Sequence, residues 1–108
     1  MSRLILTPGE LDSLIRSKDK ILVLFYASWC PYSRMFLPVF EQAAESNEES
    51  YARILVDDHQ DLAQAYEVAV YPTVLFFENG KLSQRLDGTA GIGLKDGQLR
   101  TFAVLCRV

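Results

Sequence analysis

The apolar positions of this chain follow two rhythms, one suited to strands buried on both faces and one suited to amphipathic helices. Arg3–Leu6 reads as a short strand. It runs into Thr7-Pro8-Gly9-Glu10, where Thr7 can cap a helix, Pro8 suits the first helical position and Glu10 can close a capping box. Leu11, Leu14 and Ile15 recur at helical spacing, and Ser17–Lys20 closes that helix. Ile21–Tyr26 is an unbroken apolar run, the pattern of a strand covered on both sides. From Pro31 to about Glu49 the pattern is helical. Its expected buried face is Met35, Phe36, Val39, Phe40 and Ala43 or Ala44. A kink is expected at Pro38, whose ring removes a donor and clashes with the preceding turn.

Tyr51–Val56 predicts a further strand, stopped by Asp57-Asp58, and a short helix follows through Leu62, Ala65 and Tyr66. Thr73–Phe77 and Lys81–Leu86 are strand-like and meet at Asn79-Gly80, a strong two-residue hairpin signal. Lys95 to Cys106 closes the chain as a helix through Leu99, Phe102, Ala103 and Cys106. The order β-α-β-α-β-α-β-β-α predicts an α/β fold, a central mixed sheet with helices on both faces. At 108 residues one domain over 1–108 is expected, large enough to bury a core without staples.

Charge narrows the partners. Eleven Lys+Arg against fourteen Asp+Glu leave a net charge of −3, with no basic footprint to neutralise phosphates, so nucleic acid is not an expected partner. No apolar run approaches the ~20 residues of a membrane span, and the apolar stretch Leu4–Leu6 is too short for a signal peptide. Two cysteines do not make a disulfide scaffold. A monomer in a reducing cytoplasm is the expectation.

The sharpest chemical feature is Cys30, placed where a buried strand ends and a helix begins. The positive end of a helix dipole and its unpaired N–H groups would point at the sulfur and favour the thiolate, which is the nucleophilic form. The alternative is a small buried hydrophobe, as many free cysteines are. Cys106, at helical spacing with Leu99, Phe102 and Ala103, reads as packing; its alternative is a second thiol able to resolve a bond at Cys30. Asp57, Asp58, His59 and Asp61 could suggest a metal cluster, but one histidine without a second His or Cys fits a polar turn and helix cap better. Gly91-Ile92-Gly93 with Gly97 lacks the strand-to-helix unit of a phosphate loop and reads as a turn. Neither metal nor cofactor is expected.

Trp29-Cys30-Pro31-Tyr32-Ser33 resembles the active-site stretch of the thioredoxin family with its second cysteine replaced by serine. The resemblance extends along nearly the whole chain. The Ile21–Ala27 strand leads into the site, Pro38 matches the proline of the active-site helix, and Tyr71-Pro72-Thr73 matches the cis-proline loop. Asn79-Gly80 and the Gly88 region match the terminal hairpin and the turn before the last helix. The resemblance implies a thioredoxin fold, a cis Pro72 facing the nucleophile, and a role in electron transport and cell redox homeostasis. It also implies that Trp29, Pro31, Tyr32, Tyr71, Pro72 and Thr73 receive the substrate, with an extended chain pairing to the loop backbone. Trp29, Tyr32, Tyr71 and Pro72 are expected to form an apolar rim suited to a protein disulfide.

Three departures shape the expected chemistry. Ser33 cannot resolve a mixed disulfide; its hydroxyl is expected to donate toward the Cys30 sulfur. Leu24 stands where thioredoxins bury an acid thought to help deprotonate the resolving cysteine, so the two losses are consistent with a natural one-cysteine site. Equally, Ser33 can be a trap in which serine replaces the resolving cysteine of a dithiol enzyme. Pro31-Tyr32 is a dipeptide typical of glutaredoxins, so glutathione-dependent activity stays open. The expected activity is thiol–disulfide exchange through Cys30, with release by a thioredoxin-reductase-type protein or glutathione. The competing expectation is a binding module that captures thiol or disulfide partners without turnover.

Overall fold

In the computed structural model, which describes residues 1–108, the chain runs β1 (Arg3–Leu4), α1 (Pro8–Ser17), β2 (Lys20–Tyr26), α2 (Pro31–Ala44), β3 (Tyr51–Leu55), α3 (Gln60–Ala65), β4 (Thr73–Glu78), β5 (Lys81–Asp87) and α4 (Asp96–Cys106). Single 3₁₀ turns precede and follow β3, at Glu48–Ser50 and Val56–Asp58. The five strands form one sheet in the order β1-β3-β2-β4-β5. β3 is parallel to both β1 and β2, whereas β4 is antiparallel to β2 and to β5. This is the mixed sheet of a thioredoxin fold.

The unbroken apolar run of β2 is explained by its surroundings. Its odd positions Ile21, Val23 and Phe25 enter a core with Leu11, Leu14, Ile15, Leu62 and Ala63 from α1 and α3. Its even positions Leu22 and Leu24 enter a second core with Phe36, Phe40, Leu99 and Phe102 from α2 and α4. All five side chains are fully buried, and each contributes roughly 1.5–3 kcal/mol of burial free energy. Helices therefore cover both faces.

The ends of several elements differ from the sequence reading, each for a local reason. β1 stops at Leu4 because the Leu6 N–H turns to the Glu10 carboxylate at 3.1 Å while Thr7 Oγ1 accepts the Glu10 N–H at 3.1 Å. α2 ends at Ala44 and not near Glu49, since the Ser46 hydroxyl donates to the Ala43 carbonyl and Asn47 opens the next turn. The buried face of α2 is Ser33, Phe36, Phe40 and Ala44. Met35 was expected there and is instead 68% exposed, because the helix presents the 33/36/40/44 stripe to the sheet. α2 runs unbroken through Pro38. At the hairpin, Asn79 and Gly80 both take positive φ, 52° and 82°, as a primed turn requires.

Gly88 ends the β5 arm against the β4 entry. A Cβ built on it would lie 2.3 Å from the Pro72 carbonyl oxygen. Gly9, in the first turn of α1, has nothing within 4 Å of such an atom. Gly88→Ala should therefore destabilise the protein by about 1–3 kcal/mol, as other overpacked sites do. Gly9→Ala should stabilise it by roughly 0.4–1 kcal/mol through the unfolded chain. Urea unfolding of the two variants checks the opposite signs; equal midpoints would contradict the close packing at Gly88.

Candidate active site

The site lies beyond the C-terminal ends of β2 and β3, where side chains leave the sheet free of its own packing. β2 ends at Tyr26, and Cys30 becomes the N-cap of α2 with extended backbone, φ −92° and ψ 119°. Its N–H donates to the Ala27 carbonyl at 3.3 Å and its carbonyl accepts the Arg34 N–H at 3.1 Å, closing the turn on both sides. The thiol does not cap the helix N–H groups as the sequence suggested. Its Sγ instead points to the Tyr71 carbonyl oxygen at 3.6 Å, on the loop that precedes β4. β4 is brought there by its pairing with β2, in which Phe25 faces Thr73. The Tyr71–Pro72 peptide bond is cis.

Ser33 is fully buried one turn into α2, and its hydroxyl accepts the Ala27 N–H at 3.1 Å. The expected donation from Ser33 to the Cys30 sulfur is absent, because the oxygen is turned toward the backbone N–H left over where β2 ends. Ser33 thus pins the active-site turn. Leu24, at the acid position, is fully buried among apolar side chains of the second core.

The expected rim is only partly realised. Trp29 is 64% exposed and packs edge-on against Tyr71, ring centroids 6.0 Å apart at 85°. Burial pushes the Tyr71 phenol above its ordinary pKa, so it stays neutral beside the thiol. Pro31 is exposed and Tyr32 half-buried. Gly93 closes over Tyr32, with its φ of +81° and a would-be Cβ only 2.8 Å from the Tyr32 Cβ. Pro72 leaves the rim because it is buried, and Thr73 beside it is buried too. The Thr73 hydroxyl donates to the Val70 carbonyl at 2.6 Å and accepts the Gly88 N–H at 3.3 Å, so its side chain ties the loop together.

The structure adds residues that the sequence reading passed over. The Asp57 carboxylate accepts the Ser28 N–H at 3.0 Å and the Ser28 hydroxyl. Those hydrogen bonds hold its carboxyl below the usual aspartate range. Arg34 Nη1 donates to the Ser28 carbonyl at 3.2 Å. Asp57 lies in a turn as expected, at Val56–Asp58, but it caps no helix, since α3 has no side-chain cap, and its carboxylate reaches across to the active-site turn. The parallel register of β2 and β3 was the signal that could have found it, since Tyr26 faces Leu55 and each strand continues two residues to Ser28 and Asp57.

Cys106 lies in the core between the sheet and α2/α4, whereas Cys30 joins the core on the opposite face. Both thiols are free. Burial, with a smaller push from Glu78, raises the Cys106 thiol to about 11.

The family described as Thioredoxin matches residues 2–97 of the chain. Endoplasmic reticulum resident protein 44 of Mus musculus is 39% identical over 84 residues, which are 70% of this chain and 21% of that protein. The chain thus spans about a fifth of the length of that relative. Thioredoxin-2 of Saccharomyces cerevisiae is 35% identical over 89 residues, 81% of this chain and 86% of its own length. Among solved structures, Fasciola hepatica thioredoxin superposes with a TM-score of 0.85 at 30% identity, over 96% of this chain and 98% of that one.

The two cysteines should separate in alkylation. In native protein at pH 7.5, iodoacetamide should label Cys30 well before Cys106. Cys106 labelling should climb with pH as its thiol ionises toward about 11, and should become fast in urea. Peptide mass mapping reads both; equal native rates at pH 7.5 would contradict the packed placement of Cys106.

Proposed function

The chain belongs to the thioredoxin family, and from that premise we propose that it exchanges thiols and disulfides on protein substrates through Cys30 alone. Family membership supports thiol–disulfide oxidoreductase chemistry; the single-cysteine course is inferred from Ser33 of this chain. The Cys30 thiolate attacks one sulfur of a partner disulfide in line. A Cys30–partner disulfide forms, the partner's S–S bond breaks, and its other sulfur leaves as a thiolate that takes up a proton. An external thiol, from glutathione or from a reductase-type protein, then attacks the partner's sulfur in the mixed disulfide. The bond to Cys30 breaks and Cys30 leaves as its thiolate. The partner departs in a disulfide with the external thiol, which a second thiol cleaves to complete the reduction.

One observation carries this reading. The position that would hold a resolving thiol is a buried serine whose hydroxyl accepts the Ala27 N–H, and the second cysteine of the chain lies on the other side of the sheet. Leu24 supports it, because an apolar residue at the acid position leaves no proton acceptor for a resolving thiol. The exposed Trp29, its edge contact with Tyr71 and the flanking Pro31 and Tyr32 favour a peptide surface over a small charged metabolite. The Tyr71 carbonyl, 3.6 Å from the sulfur, is a backbone acceptor that an incoming chain could meet there.

The same serine supports a second reading, capture of partners without turnover, and the two differ only in whether external thiols release the adduct at a useful rate. With a peptide disulfide and no added thiol, the protein should accumulate an adduct at Cys30, and Cys30→Ser should form none. Glutathione or dithiothreitol should release it repeatedly; an adduct stable to both would favour capture. Ser33→Cys should instead close an internal disulfide with Cys30, since residues three apart at a helix start share a face. If Ser33→Cys gives no internal disulfide while Cys30 pairs with Cys106, the single-cysteine reading fails.

A further inference from the structure

We propose that Asp57 is a positioning residue for Cys30: by holding Ser28 from the end of β3, its carboxylate fixes the turn that sets the sulfur against the Tyr71 carbonyl. The inference rests on Cys30 being the nucleophile and adds the group that aims it. β2 and β3 are parallel neighbours with Tyr26 facing Leu55, so Ser28 and Asp57 leave the sheet side by side. Both carboxylate oxygens face Ser28, one taking its N–H at 3.0 Å and the other its hydroxyl. None of the chain's ion pairs includes Asp57, so no cation competes for it.

Ser28 is held from the other side as well, by Arg34 Nη1 on its carbonyl at 3.2 Å. Its neighbour Ala27 is fixed by Ser33 at the N–H and by Cys30 at the carbonyl. Every polar group of Ala27 and Ser28 therefore has a partner, and Trp29 alone separates this clamp from Cys30. Two of those ties come from α2 itself and move with it. Asp57 is the tie to the sheet. It is a solvent-exposed acceptor, where hydrogen bonds and charges add little to global stability, so its consequence falls on the local geometry of the turn. In-line attack on a disulfide is sensitive to such geometry: a displacement of about 1 Å can cost ~10²-fold in rate.

The test uses the full chain and a synthetic peptide with an intrachain disulfide. Adduct formation at Cys30 is followed by quenched mass spectrometry across peptide concentrations, giving a limiting rate and a half-saturation concentration. Asp57→Ala should lower the limiting rate by about tenfold or more with the half-saturation concentration unchanged. Asp57→Asn, which keeps an acceptor for the Ser28 N–H, should fall between. Adding Ser28→Ala to Asp57→Ala should lower the rate no further, because both remove one linkage. Thermal midpoints of all three should stay near the parent. Parent-like limiting rates in Asp57→Ala, or independent multiplication of the Ser28 and Asp57 effects, would overturn the positioning role. Adduct formation by Cys30→Ser would instead overturn the choice of nucleophile, so the two failures are distinguishable.

Discussion

The register of β2 with its two neighbours is the constraint on which the site depends. β2 is buried on both faces and hydrogen-bonded on both edges, parallel to β3 and antiparallel to β4. Because β3 runs the same way, its end emerges beside the end of β2 and brings Asp57 to Ser28. Because β4 runs the opposite way, its start lies there too and brings the Tyr71–Thr73 loop to Cys30. Three chain ends converge at one point through backbone pairing alone. A slip of one residue in either pairing would exchange the odd and even positions between the two cores and would part the thiol from its neighbours.

What converges there is a turn with its polar groups satisfied and a sulfur facing a carbonyl at 3.6 Å. The chemistry follows from what surrounds that sulfur. Behind it stand a serine engaged with the backbone and a leucine among phenylalanines, neither able to supply a second thiolate or accept its proton. In front stand Trp29 and Tyr71, apolar bodies with neutral polar tips. Under the proposed reading, a site of this kind forms a bond to a partner's sulfur and has no internal thiol to break it. On that reading release falls to an external thiol, whose identity would decide how long a partner stays attached.

The sequence reveals the β2 run, the α1 capping signals, the Asn79-Gly80 turn and the cysteine at the head of a helix, because each is local: a period, a cap or a turn dipeptide. It is weaker where two distant segments decide the outcome. Met35 satisfies a helical period equally well with the stripe rotated, and only packing against the sheet selects Phe36, Phe40 and Ala44. Thr73 fits a family motif, yet the Gly88 N–H that its hydroxyl accepts is brought there only by β5 returning along β4. The destination of the Ser33 hydroxyl turns on an N–H released where a strand ends. Asp57 looks like a turn residue until the parallel register places it opposite Ser28.

The central claim is that one thiol acts and none resolves it. It is tested most directly by counting thiols released in a single turnover. Fully reduced protein is mixed with an excess of a two-chain peptide disulfide, without any other thiol, and the peptide thiol released is separated from the protein and counted per protein molecule. A single-cysteine site liberates one peptide thiol for each protein molecule and keeps the other sulfur bound to Cys30. Release of two peptide thiols per protein, with an internally oxidised chain and no adduct, would contradict the account.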